Sequence, residues 1–424
     1  FKILLPIQKP MNFLNKKIIM SLAIILMMST LSACDKTPSE HLQSLTKDNY
    51  PVANMPDEPL ETPLEINIEP KRLAMTSSWS AGVKDDGTLW TWGTDGLLRD
   101  TKTGQDPTPR QVEGVNDAVA VSGAGHMLLL RKDGTVWGWG SNSHGEIDPS
   151  DGDIFIEELR QIKGIENVVD IAAGEMDSIF LTNNGEVYVL GSNEGGWVNE
   201  IPKQLIIPTK VPNLSDIIRI EFRNGVLLAL DKKGELYSTG KSERALGRLL
   251  YQSQEPEIEY HPAAKVALPK KTIDFSVTST SAMAVLEDGS VWNWGSNSSA
   301  NLALSDSEDI KMPEKNPYLH KVVNIGIHAA VTSQGDLYTL SKYGFGKNKN
   351  SISAYTYNKP FLIMQNIDPD QIVYGYLSYA VVTNDGNVWF WNWNENGQRG
   401  TGEIVESMEK DYVLTPEKSL FTLN

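Results

Sequence analysis

A dipeptide that ends in glycine recurs seven times along this chain, at intervals of 46 to 55 residues. Its first residue is Asp, Asn, Lys or Gln, and the copies are Asp86-Gly87, Asp133-Gly134, Asn184-Gly185, Lys233-Gly234, Asp288-Gly289, Gln334-Gly335 and Asp385-Gly386. Asp-Gly and Asn-Gly pairs tolerate the positive φ angles of a tight hairpin turn. Each copy therefore predicts two antiparallel strands joined by a turn.

The residues after each glycine predict how these hairpins pack. The second residue after each glycine is aliphatic: Leu89, Val136, Val187, Leu236, Val291, Leu337 and Val388. The third is aromatic: Trp90, Trp137, Tyr188, Tyr237, Trp292, Tyr338 and Trp389. Adjacent strand residues point to opposite faces, so both faces of each sheet are expected to be buried, as in a ring of sheets. We therefore predict an all-β fold over residues 64–424, a seven-bladed β-propeller of four-stranded antiparallel blades.

The end of each hairpin carries a second glycine signal. Five repeats have Gly93, Gly140, Gly191, Gly240 and Gly295 there, whereas Ser341 and Asn392 replace it in the last two. The order of hydrophobic strand, Asp-Gly turn and Trp-x-Trp-Gly resembles the regulator of chromosome condensation repeat family over about residues 64–424. Segments 120–146 and 381–402 match best, and the family's repeat histidine is present only as His126.

That resemblance implies a propeller that serves as a binding platform. Members act in nucleotide exchange on a small GTPase and, in secreted bacterial forms, in enzyme inhibition. Exchange activity is not expected from a protein outside the cytoplasm, where the sequence places this one. No interface residue of the family can be matched to a position in this chain.

Eight further segments flank the hairpins and are candidates for the remaining strands. They are 64–68, 110–114, 159–163, 209–212, 263–268, 318–323, 361–364 and 418–423. Eight segments surround seven hairpins, so one end of the chain is expected to complete the terminal blade and the other to be surplus. The sequence does not decide which end closes the ring.

Residues 11–33 have the pattern of a bacterial lipoprotein signal peptide. Lys16 and Lys17 precede an apolar run from Ile18 to Met28, which is too short to span a bilayer comfortably. The run leads to a Leu-Ser-Ala-Cys sequence ending at Cys34, which resembles the lipobox, where small residues precede an acylated cysteine. A plain secretory signal, or an anchor helix with an incidental cysteine, is the alternative.

We therefore predict lipid attachment at Cys34, which anchors the protein to a bacterial membrane with its body outside the cytoplasm. Inner membrane, outer membrane and cell surface stay open. Residues 1–10 are expected to lie upstream of the true start. Residues 34–63 are polar and contain prolines, and predict a flexible tether with a reach of roughly 30 Å.

Charge and cysteine content exclude some partners and stabilising devices. The formal net charge is −16, and so acidic a body repels phosphate backbones, which argues against nucleic acid as a partner. Cys34 is the only cysteine, which excludes an intramolecular disulfide and a four-cysteine zinc site. We expect a monomer stabilised by packing.

The sequence presents no catalytic, cofactor-binding or metal-binding constellation. It contains no GxSxG elbow, and its six histidines form no HxH or HExxH pair. The acidic loop 146–158 could supply oxygen ligands to Ca²⁺, but its spacing is not that of an EF-hand, and a solvated loop is the alternative. We predict a non-enzymatic protein without a cofactor, although carboxylates from different blades could still converge.

Because the repeats specify the fold, function is expected in the loops between them. Six loop aromatic residues are candidate anchors for a protein partner: Phe155, Trp197, Tyr251, Tyr260, Tyr343 and Phe345. The alternative is that each one covers the rim of the propeller itself. We predict a cell-envelope interaction module that binds an unknown envelope or extracellular protein.

Two other functions stay open. Trp389, Trp391 and Trp393 suggest a glycan-binding or glycan-active protein, unless these tryptophans pack between blades as the repeat pattern favours. The third function is inhibition of an enzyme, as in the secreted propellers of the family.

Overall fold

A computed structural model describes most of the chain from Asp57 to its end. The described residues are 57–66, 68–100, 104–193, 204–241, 244–248, 250, 261–297, 302, 304, 309–340, 359–375, 378–404 and 416–424. The predicted signal peptide, Cys34 and the tether up to residue 56 lie outside them.

Seven antiparallel sheets of four strands each make a β-propeller, as the sequence predicted. Each blade consists of four consecutive strands in sequence order, so blade 1 contains β1 to β4 and blade 7 contains β25 to β28. The first strands of successive blades contact one another around the ring, and β25 contacts β1. They therefore line a central channel, and the fourth strands form the outer edge.

The first strands are β1 Leu73–Met75, β5 Ala118–Gly123, β9 Val168–Ala173, β13 Ile217–Arg223, β17 Thr272–Val277, β21 Val322–Gly326 and β25 Pro369–Tyr374. The second strands are β2 Trp79–Val83, β6 His126–Arg131, β10 Asp177–Thr182, β14 Val226–Asp231, β18 Ser281–Leu286, β22 Ala329–Thr332 and β26 Ser378–Thr383. The third strands are β3 Leu89–Thr94, β7 Val136–Ser141, β11 Val187–Ser192, β15 Leu236–Gly240, β19 Val291–Gly295, β23 Leu337–Thr339 and β27 Asn387–Asn392. The fourth strands are β4 Gln105–Gln111, β8 Phe155–Gln161, β12 Gln204–Lys210, β16 His261–Lys265, β20 Ile310–Lys315, β24 Phe361–Met364 and β28 Glu417–Thr422.

The seven glycine turns join the second and third strands of every blade, which confirms the hairpin prediction. All seven glycines have φ between 77° and 83°. In blade 1 the Gly87 N–H donates to Lys84 O at 2.9 Å and the Lys84 N–H donates to Thr88 O at 3.0 Å. This is a type I turn followed by a left-handed residue, a conformation that glycine adopts without steric cost.

The fourth strands were predicted less accurately. Three of them, β4, β8 and β12, begin four or five residues before the predicted segments, whereas β24 matches its segment. The prediction at 318–323 is wrong, because the fourth strand of blade 5 is β20 and Val322 begins β21. Residues 64–66 and 68 are not in a strand either, so the C-terminal segment completes blade 7 with β28. These outer strands carry prolines and charges on exposed faces, which removes the alternating pattern that reveals a strand.

The buried apolar residues of the described chain form six clusters, each between two neighbouring blades. The cluster between blades 7 and 1 closes the ring and contains Phe421 and Trp92, whose ring centroids are 5.0 Å apart. Backbone bonds add to this closure, since the Asp85 N–H donates to Leu423 O at 2.8 Å. Closure therefore depends on packing between the first and last blades, without a strand shared between the two termini.

The N-terminal segment, residues 57–66, lies on blade 5. The Leu60 N–H donates to Asp288 O at 3.1 Å and the Leu64 N–H donates to Glu287 O at 2.8 Å, both at the glycine turn of that blade. Leu64 packs on the cluster between blades 5 and 6, and Asp57 pairs with Lys315 at 2.6 Å. The chain therefore enters the propeller beside a glycine turn.

Candidate interaction face

The strand order gives the propeller two different faces. The hairpin face carries the glycine turns and the connections from each fourth strand to the next first strand. The loop face carries the turns between first and second strands and the connections between third and fourth strands. After blade 1, all the long insertions in the repeats lie in connections from a third to a fourth strand. Sequence differences between the blades are therefore concentrated on the loop face.

The second tryptophan of the repeat joins three of the blades to the blade before them. The indole N–H groups of Trp92, Trp139 and Trp294 donate to carbonyls of a third-to-fourth connection in the preceding blade, at 2.8, 2.8 and 2.7 Å. These three side chains and Trp391 are fully buried. The prediction that the repeat tryptophans pack between blades is confirmed for these positions.

The central channel is crossed by ion pairs between blades. Arg219 pairs with Asp274 at 2.7 Å, and Lys71 lies 3.4 Å from both Asp170 and Glu221. Burial raises the pKa of Asp274, while the Arg219 guanidinium acts against that rise. The Asp274 carboxylate also accepts from the Ile325 N–H of the next blade at 2.8 Å. These charges hold first strands together, and the channel interior is part of the scaffold.

At the loop face the channel opens into a cavity of about 760 Å³. Its wall contains the turns between first and second strands of blades 1 to 6, together with Tyr374 and Tyr379 of blade 7. We call this cavity the mouth. Arg223, the last residue of β13, reaches across it and donates to Gly123 O of blade 2 at 3.4 Å and to Tyr374 O of blade 7 at 3.2 Å.

His328 lies in the wall of the mouth, in the tight turn of blade 6 with φ at +56°. Its Nδ1 is 3.5 Å from the Tyr379 hydroxyl. Burial lowers the pKa of His328 to about 4, so the imidazole is neutral at pH 7. Tyr379 in turn stacks on Trp391, with centroids 5.4 Å apart and an interplanar angle of 12°. The mouth therefore combines the cation Arg223 and the exposed carboxylate of Glu175 with neutral polar and aromatic groups.

The acidic loop 146–158 is folded around its own partners. Arg160 pairs with Asp148 at 3.5 Å, with Asp151, and with Glu158 at 3.1 Å. Glu146 is buried and accepts from the Ser141 hydroxyl at 2.7 Å. Among the described residues, no group of three or more His, Cys, Asp or Glu is arranged to hold a metal ion. Arg160 thus pairs with three of the six carboxylates that suggested Ca²⁺.

His126, at the position of the family's repeat histidine, is also buried. Its Nε2 lies 2.7 Å from the Ser178 hydroxyl, which donates to Glu146 O at 2.6 Å. Burial lowers the pKa of His126 to about 4. This histidine joins blades 2 and 3 through the acidic loop, a structural role.

One of the six predicted partner-binding residues, Phe155, lies in the described part of the chain. It begins β8 at the loop face, is 37% exposed and contacts Trp79 edge-on with centroids 6.3 Å apart. The other five, Trp197, Tyr251, Tyr260, Tyr343 and Phe345, lie outside the described residues, as does Cys34. Each of the five falls in sequence between a third and a fourth strand, whose described ends meet at the loop face.

Sequence reasoning missed Arg223 and His328. They belong to blades 4 and 6, and no linear spacing connects them to each other or to Tyr379. The only hint was that this first strand ends in a cation, whereas the other six first strands end in uncharged residues. Within the part of the chain that the structure covers, no helix has the length and apolar character of a membrane span.

The comparisons with known proteins agree with this geometry. The family model described as Regulator of chromosome condensation (RCC1) repeat matches residues 118–146. The chain is 26% identical over 326 residues to the regulator of chromosome condensation of Xenopus laevis, which covers 70% of this chain and 75% of the relative. It is 25% identical over 311 residues to the ultraviolet-B receptor of Arabidopsis thaliana, with coverage of 70% and 69%.

Two solved structures share the fold. One shows Kap60 bound to the yeast regulator of chromosome condensation, Prp20, with a TM-score of 0.65, 22% identity, and coverage of 79% of this chain and 84% of the yeast chain. The other is human WBSCR16, with a TM-score of 0.62, 21% identity, and coverage of 74% and 85%. The chain therefore shares its fold with these two structures and is similar in sequence to the regulator of chromosome condensation.

Proposed function

We propose that this propeller, similar to the regulator of chromosome condensation, is a non-enzymatic interaction module of the bacterial cell envelope. Acylated Cys34 would anchor it to a membrane, with the propeller outside the cytoplasm. A partner protein would dock on the loop face. A partner that is itself an enzyme would make the propeller an inhibitor or regulator of that enzyme.

The observation that carries the proposal is the opposite placement of the N-terminal segment and the variable loops. Residues 57–66 lie beside the glycine turn of blade 5, on the hairpin face. Five of the six predicted partner-binding positions fall in sequence between a third and a fourth strand, whose described ends lie at the loop face, and the sixth, Phe155, begins β8 there. A coil over residues 35–56 would reach roughly 26 Å from the lipid. The tether would thus leave the loop face unobstructed.

The relatives support a binding role by their own described interactions. One yeast propeller is described with Kap60 bound, and Prp20p of Saccharomyces cerevisiae is described with binding to Gsp1p and histones. Those partners belong to those proteins. What supports the present proposal is that a protein with the same fold is described as binding other proteins.

The glycan alternative is weakened at two of its three tryptophans, whereas Trp393 is partly exposed. Trp391 is fully buried and stacked on Tyr379, and the Lys418 ammonium lies 6.0 Å from the centroid of the Trp389 ring. Neither ring offers the open flat face on which a sugar stacks. We therefore favour a protein as the partner.

Anchorage is tested by metabolic labelling with an alkyne analogue of palmitate, in cells that express the full chain or its Cys34→Ala variant. We expect label on the wild type in the membrane fraction and none on the variant. Label that persists on Cys34→Ala would contradict lipid attachment at this cysteine. Equal membrane association of the two proteins would contradict the anchor.

Docking on the loop face is tested by a photo-crosslinking amino acid placed at one of two exposed positions in the full chain. Ser77 lies on the loop face and Asp133 on the hairpin face, and both are exposed. We expect one envelope or extracellular protein to be captured from position 77 and not from position 133. Capture from position 133 alone would overturn the assignment of the face.

A further inference from the structure

The mouth contains an arginine that differs from the other cations of the channel. Lys71, Arg72 and Arg219 each pair with a carboxylate of another strand or blade. Arg223 instead holds two backbone carbonyls from blades 2 and 7, and its guanidinium lies 5.6 Å from the Tyr374 ring centroid. Within the described chain, no carboxylate lies within 4.0 Å of it. Its positive charge is therefore not neutralised by an ion pair.

Two further side chains in the wall of the mouth each have a ring nitrogen that forms no hydrogen bond with another described residue. Trp79 is 5% exposed, and its buried Nε1 has no acceptor among the described residues. This contrasts with Trp92, Trp139 and Trp294, whose indole N–H groups each donate to a carbonyl. Nε2 of His328 is also buried without a partner among the residues described. A buried donor without an acceptor costs free energy.

We infer that the mouth is a binding site for a carboxylate of a partner polypeptide, an acidic side chain or a chain terminus, held by Arg223 with Trp79 and His328 beside it. A carboxylate has no N–H or O–H to donate and can accept several hydrogen bonds, which matches a guanidinium and neutral donors. The mouth, at about 760 Å³, is large enough to admit several residues of a chain segment. Glu175 is exposed on the same rim and would disfavour a ligand with several negative charges.

A polypeptide fits the mouth better than an acidic sugar does. Sugar rings bind by stacking on flat aromatic faces, but Trp391 covers one face of Tyr379 and the Arg223 guanidinium lies near the Tyr374 ring. The exposed rim consists of short polar turns that include Ser77 and Thr280. Such turns offer hydroxyls and backbone groups suited to an extended chain.

Binding is tested on the purified full chain in detergent with small probes, by saturation-transfer NMR and isothermal calorimetry. The main probe is the dipeptide N-acetyl-glycyl-aspartate with an amidated C-terminus, which carries a single carboxylate, and it is compared with its uncharged glycyl-asparagine counterpart. Glucuronate represents an acidic glycan, and inorganic phosphate represents a non-carboxylate anion. We expect the acidic dipeptide to bind at least about tenfold more tightly than the other three probes, because charge-assisted hydrogen bonds favour it.

Three variants locate the site. Arg223→Gln is expected to weaken binding of the acidic dipeptide by about tenfold or more, and Arg223→Lys, which keeps the charge, to weaken it less. Lys132→Gln removes an exposed cation from the hairpin face and serves as the matched control, with binding unchanged. Each variant must have a melting temperature within a few degrees of the wild type. If Arg223→Gln does not, the comparison of dipeptide binding by Arg223→Lys and Lys132→Gln tests the site.

The proposal is overturned if the acidic dipeptide does not bind, if glucuronate or phosphate binds equally well, or if Lys132→Gln weakens binding as much as Arg223→Gln. It rests on the proposed function only in that the loop face docks a protein. Crosslinking from position 77 without dipeptide binding would be consistent with the proposed interaction module and would contradict the proposed carboxylate site. Absence of palmitate label would contradict the proposed lipid anchor and would not bear on the carboxylate site in the mouth.

Discussion

Substitution of Phe421 by alanine should weaken the closure of the ring between blades 7 and 1. Phe421 lies in the last strand, is 1% exposed and packs on both Trp92 and Trp90, with centroids 5.0 and 6.4 Å apart. Its ring also fills the space above Gly82, where an added Cβ would lie 2.4 Å from the Phe421 Cζ. The first and last blades are not joined by a shared strand, so the lost side-chain contacts weaken the closing interface directly.

The expected magnitude follows from burial. Replacing a fully buried phenylalanine by alanine costs about 3–5 kcal/mol. An unfolding entropy of about 2.1 cal/mol/K per residue, over roughly 360 residues, gives about 0.76 kcal/mol/K for the propeller. A loss of about 4 kcal/mol therefore lowers the melting temperature by about 5 °C.

The assay is thermal unfolding followed by circular dichroism, with urea unfolding followed by tryptophan fluorescence. The neighbouring Leu420, which is 62% exposed in the same strand, supplies the control Leu420→Ala. We expect that control to change the unfolding free energy by less than about 0.5 kcal/mol. A loss below about 1 kcal/mol for Phe421→Ala, or an equal loss for the control, would refute the account of ring closure.

Three more predictions concern the scaffold. The pKa values of His126 and His328 are lowered to about 4, so their contribution to the unfolding free energy is present above pH 6.5 and is lost as pH falls toward 4. The wild-type protein should therefore lose unfolding free energy between pH 7 and pH 5, and in His328→Gln this loss should be smaller by about 2 kcal/mol. An unchanged pH profile in the variant would contradict this. Arg219→Met should cost about 3–5 kcal/mol in urea unfolding, because it leaves Asp274 buried and unpaired, and the double variant Arg219→Met with Asp274→Leu should lose clearly less than the sum of the two single variants. Gly174→Ala places a Cβ 2.2 Å from Phe222 Cε1 and should lower the unfolding free energy by about 1–3 kcal/mol. The control Gly152→Ala, whose Cβ would have nothing within 4 Å, should not lower it. Equal effects would show that the inter-blade contact does not determine the loss of stability.

The hairpins could be read from the sequence because their signals are local. The turn glycine, the aliphatic residue and the aromatic residue lie within four positions, and each has one conformational or packing reason to be there. The outer strands gave no such signal. In β4 and β20 the chain carries prolines and charges on an exposed edge, so the first of these strands was predicted too late and the second was missed.

The candidate site was hidden from the sequence for a different reason. Arg223, His328 and Trp79 come from blades 4, 6 and 1, and they meet only because the ring brings first-to-second-strand turns to a common opening. The connections expected to carry function could be located in the sequence, since they interrupt the regular spacing of the repeats. Which side chains share the mouth depends on closure of the ring.

Hydrogen exchange of the propeller, free and in complex with the protein captured from position 77, tests the central claim most directly. If the partner docks on the loop face, amide exchange will slow at the turns around residues 76–78, 124–125 and 223–225. The glycine turns around residues 84–88, 131–135 and 231–235 will exchange as in the free protein. Protection confined to those glycine turns would contradict docking on the loop face.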